Sequence, residues 1–280
     1  TYSADSHTLY GALTSSPAAD WPKGSMRSIV EWDTNKPLGE IEQVEHTYAV
    51  MGNMNEHQLT VVESTWGGRP ELVDTTGIID YGSLMQLALE RAKTAREAIK
   101  VMTGLVKKYG YYSSGESFTI ADPNEAWILD LIGKGPGRRG AVWVAVRIPD
   151  DCIAGHANYP RIHKIPMDDK ENCLYSPDVI SFAREMGYFD GLNKDFSFAR
   201  AYSPADFGAL RACDARVWSF FRKYDSTMDN YLPYVNGESA EPFPLYVKPS
   251  RKLSVQDMKE AMRDHFEDTP FDMRSPHRID

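Results

Sequence analysis

Cysteine is scarce in this chain. The 280 residues contain three, Cys152, Cys173 and Cys213, an odd number too widely spaced for a disulfide scaffold, so a hydrophobic core has to carry the fold. Long apolar runs are missing too, and none approaches the ~20 residues that a membrane-spanning helix needs. Basic residues fall short: 31 Lys and Arg stand against 40 Asp and Glu, for a formal charge of −9. Nucleic acid and anionic membrane would both be repelled by such a surface, and neither is expected as a partner. Internal repeats and low-complexity tracts are absent as well. What remains is 42% hydrophobic and 25% charged, the proportions of a globular protein with material for one large domain or two small ones.

The order of periodicities suggests an architecture. Short runs at 26–32, 46–51 and 59–64 are β-branched or alternating and predict strands, with a polar Gly52-Asn53-Met54-Asn55-Glu56-His57 turn between the last two. Residues 80–109 change to helical spacing. Thr94-Ala95-Arg96-Glu97 has capping-box spacing and Gly110 is a natural stop, so two consecutive helices are expected. Period two returns at 117–121, 126–132 and 141–148, joined by Asp122-Pro123-Asn124-Glu125 and by the glycine-rich 133–140 turn. That is an antiparallel meander rather than a βαβ array. Helices are predicted again near 176–187, 204–223 and 254–266, the last opened by Ser254 and Asp257. The expected class is α+β, with sheet packed on sheet and helices outside.

Most of the familiar chemical motifs are lacking. Gly133-Lys134-Gly135-Pro136-Gly137 sits between two strands and has no Gly-Lys-Ser/Thr ending, so it reads as a hairpin turn rather than a phosphate loop. Cys152, His156 and His163 fit no zinc spacing, and neither a metal nor another cofactor is expected. There is no Gly-x-Ser-x-Gly elbow, and none of the seven histidines stands beside an evident nucleophile in the sequence. Thr1 could act as nucleophile with its own α-amine as base, although every chain has some first residue. The loop amides Asn53, Asn55 and Asn158 either donate to a developing oxyanion or satisfy turn backbones.

Several segments together resemble one family. Tyr2-Ser3-Ala4-Asp5-Ser6-His7, Gly52-Asn53-Met54-Asn55-Glu56-His57-Gln58-Leu59, Asp80-Tyr81-Gly82-Ser83-Leu84, Arg91-Ala92-Lys93-Thr94-Ala95-Arg96-Glu97-Ala98, Ala121-Asp122-Pro123-Asn124-Glu125-Ala126-Trp127, Trp143-Val144-Ala145-Val146-Arg147-Ile148-Pro149-Asp150-Asp151 and Asp268-Thr269-Pro270-Phe271-Asp272-Met273 occur in the order found in C69 dipeptidases. Secernins, and more distantly bile-salt hydrolases and penicillin acylases, are similar to that family. The resemblance implies an N-terminal-nucleophile hydrolase domain over residues 1–280 with a four-layer αββα sandwich. It also implies a dipeptide or short peptide as substrate. A cysteine exposed as the first mature residue would attack the scissile carbonyl and form an acyl-enzyme.

In the family this cysteine begins a strand one hairpin upstream of the segment matching Tyr2 to His7. The nucleophile is therefore expected ahead of Thr1, with further chain after Asp272-Met273, and the chain alone is expected to be inactive. The resemblance assigns Asp5 to holding the amino group of the nucleophile or of the substrate, and Asn55 and Asn158 to the oxyanion hole. Arg200, in Phe198-Ala199-Arg200-Ala201-Tyr202, matches an active-site arginine, whereas the arginine usual three positions before Asp5 is replaced by Tyr2. Two other functions fit the same resemblance: a non-catalytic secernin-like scaffold, and an amidase or acyltransferase acting on a non-peptide amide. The sequence is compatible with a homo-oligomer and decides neither oligomeric state nor compartment.

Overall fold

The structure, a computed structural model, describes residues 14–274. Fourteen strands and seven α-helices follow one another among the described residues. The first seven strands are short: β1 (Ser15–Ser16), β2 (Ala19–Asp20), β3 (Met26–Val30), β4 (Pro37–Glu42), β5 (His46–Thr47), β6 (Val50–Met51) and β7 (Met54–Asn55). Then come β8 (Thr60–Trp66), helices α1 (Tyr81–Arg91) and α2 (Ala95–Tyr109), and the meander β9 (Gly115–Ala121), β10 (Ala126–Gly133) and β11 (Ala141–Ile148). The remainder comprises β12 (Ile153–Ala154), β13 (Cys173–Tyr175), α3 (Val179–Glu185), α4 (Phe198–Tyr202), α5 (Ala215–Arg222), α6 (Leu232–Val235), β14 (Tyr246–Val247) and α7 (Val255–Ala261). Eight strands form one antiparallel sheet in the order β1-β6-β7-β8-β9-β10-β11-β13, and the other six pair in twos. The class is α+β, as expected.

Alternation along the central strands creates two apolar faces. Val61, Phe118, Ile120, Trp127, Leu129 and Leu131 pack with Leu84, Ala88, Ile99 and Met102 of α1 and α2. Trp66, Ile128, Ile132, Val142, Val144 and Val146 point the other way and meet Phe182 of α3 and Phe198 and Tyr202 of α4. Each large side chain so buried contributes about 1.5–3 kcal/mol. A third cluster, with Trp218, Phe221, Tyr234, Phe243 and Phe271, gathers the last third of the chain.

Caps fix the helix starts. The Asp80 carboxylate accepts from Ser83 N and Thr94 Oγ1 from Glu97 N, while Gly110 at φ 81° ends α2. Glu97 reaches back to Lys93 N rather than to the Thr94 backbone. A full capping box opens α7 at Ser254 and Asp257.

Several boundaries differ from the sequence reading. The expected 46–51 strand is two short pieces, because Tyr48 N leaves the ladder to bond Glu90 O. β4 pairs with β3, although Pro37 and Gly39 weaken its strand pattern. The helix expected at 204–223 begins as a π-helical turn, Ala209–Asp214, before α5. The one expected to reach 266 ends at Ala261.

Candidate functional site

After β11 the chain turns at Pro149-Asp150-Asp151, and the segment behind β12 lies over the sheet face that carries Ser64 and Thr119. His156 bridges these strands: Nδ1 lies 2.6 Å from Ser64 Oγ and Nε2 lies 2.9 Å from Thr119 Oγ1. The Asn158 backbone N–H donates to Ser64 Oγ at 3.1 Å. A neutral imidazole donates through one ring nitrogen and accepts at the other, and so can tie both hydroxyls. A histidine thus stands beside a hydroxyl in space, a pairing that 92 residues of separation keep out of the sequence. Burial, helped by the charge of Arg161, pushes His156 down to about 4. The imidazole is neutral but a weak base, and it bridges two strands rather than activating Ser64.

Asn158 has the left-handed backbone that asparagine tolerates, with φ 55°. Its side-chain amide donates to Thr65 O, and its Oδ1 accepts from Arg216 Nη2 at 2.9 Å. Arg216 Nη2 also reaches Ala157 O at 3.1 Å. Both ends of the amide are thereby held. The residue is exposed, and one amide hydrogen remains without a partner among the described residues.

Asn55 occupies a different setting. Its amide nitrogen donates to Leu89 O at 2.8 Å and Ala92 O at 2.7 Å, while its oxygen accepts from His57 N and Leu59 N at 3.0 and 3.1 Å. Every polar capacity of this buried side chain is spent on tying the β7–β8 turn to the end of α1. Leu59, just ahead of β8, and Thr65, near its far end, are the attachment points of the two amides and lie six positions apart, or roughly 20 Å in extended chain. The two asparagines expected to share one oxyanion therefore do not converge. Arg200 is elsewhere too: its backbone N–H bonds Ser197 Oγ and its guanidinium bonds Ala240 O. The arginine that reaches Asn158 is Arg216, which the sequence reading missed. Asp5 lies outside the described residues.

The three thiols offer no evident alternative nucleophile at this place. Burial pushes Cys173 up to about 11, and burial with the neighbouring Asp151 raises Cys152. Cys213 lies in the π-helical turn. Cys152, His156 and His163 do not gather, since their side chains bond Asp151, Ser64 and Ser197 respectively.

A second feature adjoins Thr65 on the helix-facing side. A cleft of about 300 Å³ is lined by Glu31, Asp33, Thr65, Tyr81, Ser114 and Glu116, among others. Glu116 is fully buried; its Oε1 accepts from Thr65 Oγ1 at 2.8 Å and its Oε2 has no partner. Burial pushes this carboxyl up to about 10; Thr65 opposes the shift, and the Glu63 and Asp33 charges add to it. Tyr81 OH donates to Asp33 Oδ1 at 3.0 Å. The sequence does carry a signal for this group. Glu116 falls on the same strand face as Phe118 and Ile120, where an acid is out of place.

The chain is similar to known proteins over most of its length. The model of peptidase family C69 matches residues 2–278. A probable dipeptidase of Salmonella dublin is 29% identical over 226 residues, covering 78% of this chain and 49% of that protein. A dipeptidase of Bifidobacterium longum is 26% identical over 274 residues, covering 92% of this chain and 48% of that protein. Dipeptidase A of Lactobacillus helveticus is 26% identical, with 74% and 40% covered. The chain thus spans about half the length, or less, of these relatives. With a family match running over almost its entire length, the chain belongs to peptidase family C69.

Proposed function

We propose that this chain is part of a cysteine-type dipeptidase working by an N-terminal nucleophile, within the four-layer αββα arrangement of such hydrolases. The nucleophile is a cysteine placed ahead of Thr1 in the intact protein. Its thiolate adds to the scissile carbonyl, and the tetrahedral oxyanion is steadied by the remaining amide hydrogen of Asn158. Collapse breaks the C–N bond, the leaving amine takes the proton relayed by the nucleophile's own α-amine, and a thioester remains. Water then adds to the thioester, releasing the first amino acid and restoring the thiol. Asp5 holds an amino group at this centre. Arg216 and Thr65 are positioning residues, fixing which way the Asn158 amide points.

One observation carries the reading: Asn158 is exposed, clamped at both ends and left with one free donor. A preorganised donor of this kind is worth about 3 kcal/mol in a dry site. In the intact protein, Asn158→Ala should lower kcat on dipeptides by about 10²–10³-fold with little change in KM. Changing Cys152, Cys173 and Cys213 to Ser should leave turnover in place. A kcat within threefold of the wild type in Asn158→Ala would overturn the assignment.

A further inference from the structure

We propose that the acidic cleft beside Thr65 receives the α-ammonium group of the peptide substrate. The inference rests on the dipeptidase reading and adds to it the feature that selects a free amino end.

Thr65 joins the cleft to the oxyanion donor. Its carbonyl holds the Asn158 amide, and its hydroxyl holds Glu116 at 2.8 Å. In a dipeptide the α-nitrogen and the scissile carbonyl are separated by a single Cα, so they lie about 3 Å apart. A substrate with its carbonyl at Asn158 carries its amine beside Thr65, the residue that links the donor to the acids.

The lining suits a cation. Glu31, Asp33 and Glu116 lie in the wall, and Glu63 acts electrostatically on Glu116. Tyr81 and Ser114 add hydroxyls. Lys36 comes to the rim, with Nζ 3.4 Å from Tyr112 OH. Inside, Glu116 is fully buried, its carboxyl protonated while the cleft is empty and one of its oxygens lacking a partner; an ammonium placed there supplies the countercharge against which it gives up that proton. An ammonium brings three N–H donors and a charge. Among the described residues no three acidic, histidine or cysteine side chains gather closely enough to hold a metal ion. The acids here are spread around a space of about 300 Å³, which suits a larger cation that binds through directed hydrogen bonds.

Binding can be read separately from turnover. L-alaninamide carries the ammonium without a carboxylate, and N-acetyl-L-alaninamide lacks the ammonium. In an NMR titration of this chain at pH 7, alaninamide should shift the amide signals of Thr65, Ser114 and Glu116. The acetylated probe should bind at least about tenfold more weakly, the worth of one charge-assisted hydrogen bond. Glu116→Gln and Asp33→Asn should each weaken alaninamide by about fivefold or more. Equal affinity for the two probes, or an unaltered affinity in both acid variants, would refute the cleft assignment. In the intact protein, dipeptide hydrolysis with a KM indifferent to Glu116→Gln would sink the cleft and spare the dipeptidase reading. Absence of hydrolysis with the probe selectivity intact would do the reverse.

Discussion

Arg161 and Asp214 form the most completely buried ion pair among the described residues, both side chains being without solvent exposure. One Arg161 nitrogen meets both Asp214 oxygens at 3.0 and 2.9 Å, and the other donates to Phe243 O and Pro244 O. The guanidinium also lies 3.9 Å from the Phe243 ring centroid, and Tyr234 OH donates to Asp214. Desolvating two charges consumes much of what their attraction returns, so removing one partner is far worse than never having had the pair. Asp214→Ala should destabilise the protein by about 3–5 kcal/mol in urea unfolding, whereas replacing both residues with well-packed apolar ones should recover most of that loss. Nothing in the sequence identifies this pair, because 53 positions separate its members. Asn55 teaches a related lesson. Its residue type suggested chemistry, and only its hydrogen-bond partners assign it to the framework.

Elements were legible where a period had room to repeat. β9, β10 and β11 run seven or eight residues each, long enough for alternation to stand out, and their turns have the expected residues. β5, β6 and β7 have two residues apiece, and no periodicity can be read from two. The π-helical turn ahead of α5 also escapes, because an extra residue per turn leaves the composition unchanged. The partnership of β8 and β9 depends on a contact that sequence spacing cannot reveal. Gly115 pairs with Trp66, and a Cβ at Gly115 would lie 2.2 Å from the indole ring. The indole is fixed there, because its N–H bonds Ser117 Oγ at 3.1 Å. Gly115→Ala should therefore cost about 1–3 kcal/mol by overpacking. It should also loosen the end of β8 that carries Ser64 and Thr65, seen as faster amide exchange there than in β10. Unchanged stability would show that the ring can move aside.

At the scale of the described residues, several groups shifted by desolvation shape the response to pH. His156, pushed down to about 4, and His163, pushed down to about 3, are each displaced by burial from an ordinary 6.5. Below that value the unfolded chain takes up protons that the folded protein refuses, so these two lose stability as pH falls. Asp130, pushed up by burial to about 6, and Glu116, pushed up to about 10, work in the opposite sense. Each keeps a proton that the unfolded chain has released, so stability declines as pH rises toward its folded value. Between about 4.5 and 6 the two pairs largely offset one another. Above about 7 the histidines are neutral in both states and Asp130 has largely titrated, and Glu116 then adds a slope of up to about 1.4 kcal/mol per pH unit, in the same sense as Asp214, whose carboxyl burial also raises. The melting temperature of this chain should then fall by roughly 5 °C or more between pH 7 and 9. Glu116→Gln keeps an acceptor for Thr65 and has no proton to lose, so its melting temperature should fall clearly less over the same range and exceed the wild type at pH 9. Parallel declines in the two proteins would mean that Glu116 is already ionised at neutral pH.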